Sequence, residues 1–550
     1  MAAGGKTAAH LEKVASSATG YVGQNEKNGY GAGAGADELA QLANLEDHEL
    51  GKLASIRRYP IACFWCLYAV WCILLVSFEN QAAGTVIGIP RFRQDFGSEY
   101  EGGYVLPSEW QAAFSGAPIA SAIVGTLGSG LLADGLGRKW SIFGALVVSF
   151  AAITVEFIST TNPVFFAGKF LNGFAIGVLA SVTVTFIGEI TPHALRGLFT
   201  CLSALSYTLG PLIVAIIINS TGTLESRWAY RAVFCAQYGF AAIAAVGIWF
   251  MPESPWWHTM RGKRDMALQS LKLLGHSPDG AQAKLALIER TLEESRRETQ
   301  GVTYLECLKQ NNLRRTIIAI MPLTIQSLSG VNFAASYSTY YVQLAGYSTS
   351  DSFKIQIAQQ VCSLIGNVMS WYLVDRVGRR SLTFWGTTIL TVVLLIMGGL
   401  AVEASPGAIR GTVALIIIYC WLYNATIGAT AYTIVAEVPT SRLRAKTVAV
   451  GIALQYCVSL IWQFVLPYMF NPDQANMGAK VAFVFGGLAV ICIVYLWFCQ
   501  PETAGRTYEE LDEMFAKKVP ARKFKTYKTT AQIENDRLTG DDDDLKKSAN

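Results

Sequence analysis

Long uncharged apolar runs alternate with short polar loops along most of the chain. Twelve runs can be marked: 61–78, 110–133, 140–155, 170–188, 198–224 and 232–251, then 316–350, 355–374, 381–402, 412–436, 447–472 and 481–501. A helix needs roughly 20 residues to cross hydrocarbon. Backbone groups in lipid must pair within their own segment, so runs this apolar predict helices. The pattern predicts an all-α membrane protein, with twelve transmembrane helices in two pseudo-symmetric six-helix halves.

The remaining residues set the expected boundaries. A cytosolic N-terminal tail, with no signal-peptide pattern, is expected over 1–59, and the first half over 60–252. A cytosolic linker is expected over 253–315, the second half over 316–501 and a polar cytosolic tail over 502–550. In the linker, Met266, Leu268, Leu271 and Leu274 share one helical stripe, and Leu285, Ile288 and Leu292 share another.

Three landmarks recur in the same order at a nearly constant offset, which marks an internal duplication. Asp134-Gly-Leu-Gly137-Arg138-Lys139 returns as Asp375-Arg-Val-Gly378-Arg379-Arg380. Glu189 and Arg196 return as Glu437 and Arg444, and Pro252-Glu253-Ser254 as Pro501-Glu502-Thr503. All fall at the same expected membrane face. Headgroup anchoring explains the basic residues but not the repeated acids. An inner gate is therefore expected from Asp134, Arg138, Glu189 and Arg196 with Asp375, Arg379, Glu437 and Arg444, whose ion pairs form and separate as that face closes and opens.

Composition narrows the function. Of 550 residues, 52% are hydrophobic and only 15% charged, well below the ~25% charged of soluble domains. The small net charge of +4 gives no reason to expect nucleic acid as a partner. Most of the eleven cysteines lie in apolar runs and read as reduced packing thiols; Cys63-x-x-Cys66 has no acid or histidine beside it for redox work. No nucleotide loop, metal-ligand cluster or nucleophile–base pair stands out, so no enzyme, metal or cofactor is expected. The basic residues flanking the runs favour both termini inside. Asn219-Ser-Thr221 then falls at the outer end of the fifth run as a glycosylation candidate.

Two repeated halves with charged loops predict a rocker-type secondary transporter, with a site between repeats near midplane. Over about residues 60–515 the chain resembles the sugar porter family of the major facilitator superfamily. The matching stretches are both gate boxes, Lys169-Phe-Leu-Asn-Gly173, Gly188-Glu189 through Arg196-Gly197, Pro252-Glu-Ser-Pro-Trp-Trp257, Gln326-Ser-Leu-Ser-Gly330-Val-Asn332 and Pro501-Glu-Thr-Ala-Gly-Arg506. Within the family it is most similar to fungal α-glucoside (maltose-type) permeases, through the Pro-Glu-Ser-Pro-Trp-Trp stretch, Ser370-Trp371 and the run from Asn471 to Lys480.

Charge inside a span is costly and points to function. Glu79, Glu156 and Lys169 are the candidates, and the resemblance implies that an acid in the first span pairs with a base in the fourth. Glu79 and Lys169 occupy those positions, with Glu for the family's usual Asp and Lys for its usual Arg. Proton-coupled sugar symport by alternating access is implied, with the sugar, the proton and membrane lipid as partners, in a monomer of the plasma membrane. A sugar also needs amide, hydroxyl and aromatic partners. The resemblance points to Gln326, Asn332, Ser363, Tyr432 and Gln455; Tyr337 follows in the seventh span, Asn367 lies one turn beyond Ser363 and Gly428 one turn before Tyr432, and all three are expected at the same site. Ser327 replaces a second family glutamine and Ala204 another, which suits a roomier site. A hexose or polyol carrier is the alternative, and a non-transporting sugar sensor is the alternative of another class.

Overall fold

The computed structural model describes residues 52–529, apart from 101–102, 300–302, 404, 441–442, 472–473, 505 and 507. Most of the expected N-terminal tail and the end of the C-terminal tail lie outside the described residues. The chain falls into two compact units. Of the described residues, one holds 52–299 with Ser348–Ile357, and the other holds 303–347 with 358–529.

In the first unit the helices are α1 (Lys52–Arg58), α2 (Pro60–Thr85), α3 (Pro90–Phe96), α4 (Ser108–Leu136), α5 (Arg138–Ile158), α6 (Asn162–Ile190), α7 (Arg196–Thr221), α8 (Trp228–Phe250), α9 (Pro255–Met260), α10 (Arg264–Leu273) and α11 (Pro278–Thr299). A small antiparallel hairpin, Ser98–Tyr100 against Gly103–Val105, follows α3. The six long helices α2 and α4–α8 match the first six expected spans, but the charges do not end them. Glu79 lies within α2 and Lys169 within α6, both fully buried. Small residues let the helices touch. A Cβ on Gly177 would come within 2.3 Å of the Ala122 carbonyl oxygen on α4, the close approach that membrane helices use where hydrophobicity alone gives no drive to associate.

Two expectations at the edges of this unit change. Residues 52–58 are helical rather than part of a featureless tail. In the linker, Leu271, Leu285 and Ile288 form a buried cluster with Leu268 and Leu292 against it, but Met266 is exposed. The Asn219 sequon sits in the last turn of α7, where the Thr221 hydroxyl donates to the Ile217 carbonyl.

The second unit contains α12 (Leu305–Leu308), α13 (Gln310–Leu328), α14 (Val331–Ser336), α15 (Ser338–Leu344), most of α16 (Thr349–Val377), α17 (Arg379–Glu403), α18 (Pro406–Ala425), α19 (Ile427–Glu437), α20 (Arg444–Phe470), α21 (Val481–Cys499) and α22 (Tyr508–Ala516). Two expected spans are broken. The seventh divides into α13, α14 and α15, turning at Gly330 with φ +91°. The tenth divides at Thr426, between α18 and α19. Among the described residues ten spans are long and apolar enough to cross a membrane on their own composition. The other two expected spans are the broken α13–α15 and the glutamine-rich α16. The expected polar C-terminal tail is partly folded, since Leu511, Met514, Val519 and Phe524 bury one another.

Candidate functional site

Three groups of polar side chains stand out against the apolar helices. The first is a charge cluster inside the first unit. Lys169 Nζ on α6 lies 2.6 Å from Glu79 Oε1 on α2 and 3.1 Å from Glu156 Oε2 on α5. None of the three side chains has any exposure. The expected pair is therefore a triad. Glu156 was visible in the sequence as a charge within a span, but nothing there tied it to Lys169. Its approach requires Gly168, where a Cβ would lie 2.8 Å from Glu156 Cγ. Asn172 Nδ2 donates to Glu156 Oε1 at 3.2 Å, and Ser149 Oγ orients that amide by donating to Asn172 Oδ1 at 2.9 Å. The rings of Phe165 and Phe234 lie 5.5 and 5.1 Å from the ammonium.

The second group is a polar seam in the second unit, gathered where helices break. Gln326 Nε2 on α13 donates to the carbonyls of Ile427 at 2.9 Å and Gly428 at 3.1 Å, in the first turn of α19 just after the break. Gln455 Nε2 on α20 donates to Gln326 Oε1 at 2.8 Å. The Tyr432 hydroxyl approaches Gln455 Oε1 at 3.4 Å, and its ring is half-exposed. Ser327 faces Ser459, their hydroxyls 2.8 Å apart. Four of the expected sugar residues, Gln326, Gly428, Tyr432 and Gln455, thus share one network. Asn332 on α14 and Asn367 on α16 each hold a buried polar atom, Nδ2 and Oδ1 respectively, with no hydrogen-bond partner. Ser363 is buried on α16. Tyr337 sits apart, buried in a cluster of rings around Phe470.

The third group is the pair of repeated boxes. Arg138 forks onto Glu189, with Nη2 at 2.6 Å and Nε at 3.1 and 3.2 Å. Arg379 Nη2 reaches Glu437 at 3.1 Å. Each glutamate of the second landmark therefore pairs with the arginine of the first. Arg196 is instead exposed at the mouth of a cavity of about 220 Å³ lined also by Tyr59, Trp256, His276 and Lys284. Arg444 opens α20. Asp134 and Asp375 point largely to solvent, 74% and 76% exposed, and touch their arginines only across the interhelix turns at Gly137 and Gly378.

The third landmark, left without a role by the sequence, completes each box. Glu253 accepts the backbone N–H of Arg138 at 2.8 Å and of Lys139 at 3.1 Å, capping α5. Glu502 accepts those of Arg379 at 2.8 Å and Arg380 at 3.2 Å, capping α17. Ser254 Oγ donates to Glu189 at 2.5 Å, and Thr503 Oγ1 to Glu437 at 2.6 Å. Gly137 and Gly378 are required twice over. Both have positive φ, +97° and +91°, and a Cβ on either would strike the capping carboxylate. Burial pushes the Glu253 carboxyl up from its ordinary range, opposed by the N–H groups of Ser254, Arg138 and Lys139.

The sequence matches the family profile described as "Sugar (and other) transporter" over residues 65–515. The general alpha-glucoside permease of Saccharomyces cerevisiae is 29% identical over 499 residues, covering 89% of this chain and 81% of that protein. The maltose permease MAL31 of the same yeast is 30% identical over 499 residues, with the same shares covered. Among solved structures, a partially occluded inward-open form of the xylose transporter XylE from E. coli superposes with a TM-score of 0.67 at 18% identity. That match covers 82% of this chain and all of that one.

Proposed function

The chain belongs to the sugar transporter family of the major facilitator superfamily, a family of multi-pass membrane carriers rather than enzymes, and from that premise we propose that it is a proton-coupled sugar symporter taking an α-glucoside such as maltose. The observation that carries the proton coupling is the Glu79–Lys169 ion pair, fully buried between α2 and α6. A static structural pair would be a poor use of two desolvated charges, since apolar residues of similar size hold helices together at least as well. Where the pair opens to water, Glu79 can take a proton and loosen its hold on Lys169.

The substrate class follows the yeast relatives, a general alpha-glucoside permease and a maltose permease. The seam of Gln326, Gln455 and Tyr432, with Asn332 and Asn367 offering unused polar atoms, supplies amide and hydroxyl partners for a sugar. The two boxes act as inner gates, with both termini cytoplasmic, in a monomer of the plasma membrane.

The test is radiolabelled uptake of maltose, sucrose and glucose in a transport-null host, with and without a protonophore. Maltose accumulation that collapses with the protonophore is expected. Glu79→Gln is expected to lose accumulation while keeping part of the exchange. Full accumulation by that variant would sink the assignment of Glu79.

A further inference from the structure

The buried cluster contains one more carboxylate than a simple ion pair needs. Glu79, Glu156 and Lys169 come from three helices and none touches solvent. With both acids ionised, the cluster would hold two negative charges against one positive. A surplus charge sealed away from water is strongly disfavoured, and such a group neutralises instead.

The surroundings supply no other cation to balance it. Among the described residues, Lys169 is the only base within ion-pair distance of either acid. The helices packed around the cluster contribute Phe165 on α6 and Phe234 on α8, both fully buried. Phe165 packs in turn on Phe92, Phe96 and Phe114. Tyr230 contacts Phe92 and Phe96 from the other side, and its hydroxyl donates to Asp95. Asp95 is already matched by Arg91 at 3.0 Å and Arg227 at 3.3 Å. Two guanidiniums against one carboxylate leave a positive excess there, but neither arginine is within ion-pair distance of Glu79 or Glu156, and the layer of rings lies between.

Glu156 is also a built position. Asn172, held by Ser149, fixes one carboxylate oxygen, and Gly168 lets the side chain come close enough for the other to reach Lys169. We propose that Glu156 is the alternate counter-ion of Lys169, and that the cluster seals only when Glu79 and Glu156 share one proton. The proposal rests on the symport reading and deepens it.

The cycle follows from charge alone. A proton from outside water forms an O–H bond on a Glu79 carboxylate oxygen. The ammonium of Lys169 then leans on Glu156, and the neutral cluster can leave water. At the inner side the proton passes to water, both acids are ionised, and the empty carrier returns to the outward-facing form with the cluster hydrated, ready for the next proton. One proton per cycle results. In a simple pair, by contrast, protonating Glu79 would strand a bare buried ammonium.

The decisive variant is Glu156→Gln. The remaining Glu79–Lys169 pair is neutral without a proton, so this variant is expected to carry sugar downhill and in exchange, at a rate flat across mildly acidic to mildly alkaline pH. Proton-driven accumulation is expected to vanish. Accumulation at the wild-type level, with equal amounts of protein at the membrane, overturns the proposal. If the variant fails to reach the membrane, infrared spectroscopy of the purified full-length wild type decides. A protonated-carboxyl band at neutral pH is expected, and its absence overturns the proposal. Wild-type uptake that ignores a protonophore would instead overturn the symport reading, while the infrared band would still report whether the cluster holds a proton.

Discussion

At the scale of single residues, the useful distinction is between polar groups that are satisfied and those that are not. Gln326 and Gln455 satisfy each other and the carbonyls of a broken helix. Asn332 Nδ2 is buried without a partner. Such a group contributes nothing to the fold and costs about 1–3 kcal/mol where it sits. Asn332→Ala is therefore expected to leave the melting temperature in detergent unchanged or raised while weakening sugar uptake through a higher KM. A drop in melting temperature with an unchanged KM would make Asn332 a packing residue. The sequence made Glu79 and Lys169 legible because a charge amid apolar residues is conspicuous. It did not show that Glu156 joins them, because that contact spans the turn between α5 and α6 and depends on how closely Gly168 lets the helices approach.

At the scale of elements, uncharged apolar runs located the long helices but not the breaks within them. The run 316–350 reads as one span because hydrophobicity is continuous through it. What ends α13 is backbone conformation: Gly330 adopts φ +91° against the ring of Phe485, which would lie 3.1 Å from an added Cβ. A non-glycine residue in that region costs about 1–2 kcal/mol. Gly330→Ala is expected to lower stability by about that amount and to shift Gln326 and Asn332, which flank the break. Thermal unfolding combined with a sugar dose–response checks both, since a purely local cost would lower the melting temperature and leave affinity untouched. The break at Thr426 was equally silent in the sequence. Gln326 nevertheless rests on the carbonyls of the first turn that follows it.

At the scale of the whole molecule, the duplication is the strongest constraint, and its two copies share one pattern of partners. In each unit an arginine pairs with a glutamate from the fourth helix of its repeat, a second glutamate caps the helix that the arginine begins, and a hydroxyl beside that cap donates to the first glutamate. The sequence displayed all the parts but not the wiring. Motif spacing placed Glu189 nearest Arg196, whereas the fold brings it to Arg138 across neighbouring helices. If the boxes only held each unit together, removing one arginine would lower stability and nothing else. Breaking a buried pair by deleting one partner costs about 3–5 kcal/mol, and Arg138, at 6% exposure, is the more buried of the two arginines. As gates they carry a further consequence, because ion pairs that exist only in the closed form bias the equilibrium between forms. Arg138→Ala and Arg379→Ala are therefore each expected to shift the protein toward the form open at the inner face. The shift would be read as faster labelling of cysteines placed along that face. Arg138→Lys keeps the charge but loses the fork onto Glu189, and should fall between wild type and Arg138→Ala. Labelling rates that stay at the wild-type value in all three variants, with melting temperatures lowered, would reduce the boxes to structural clamps.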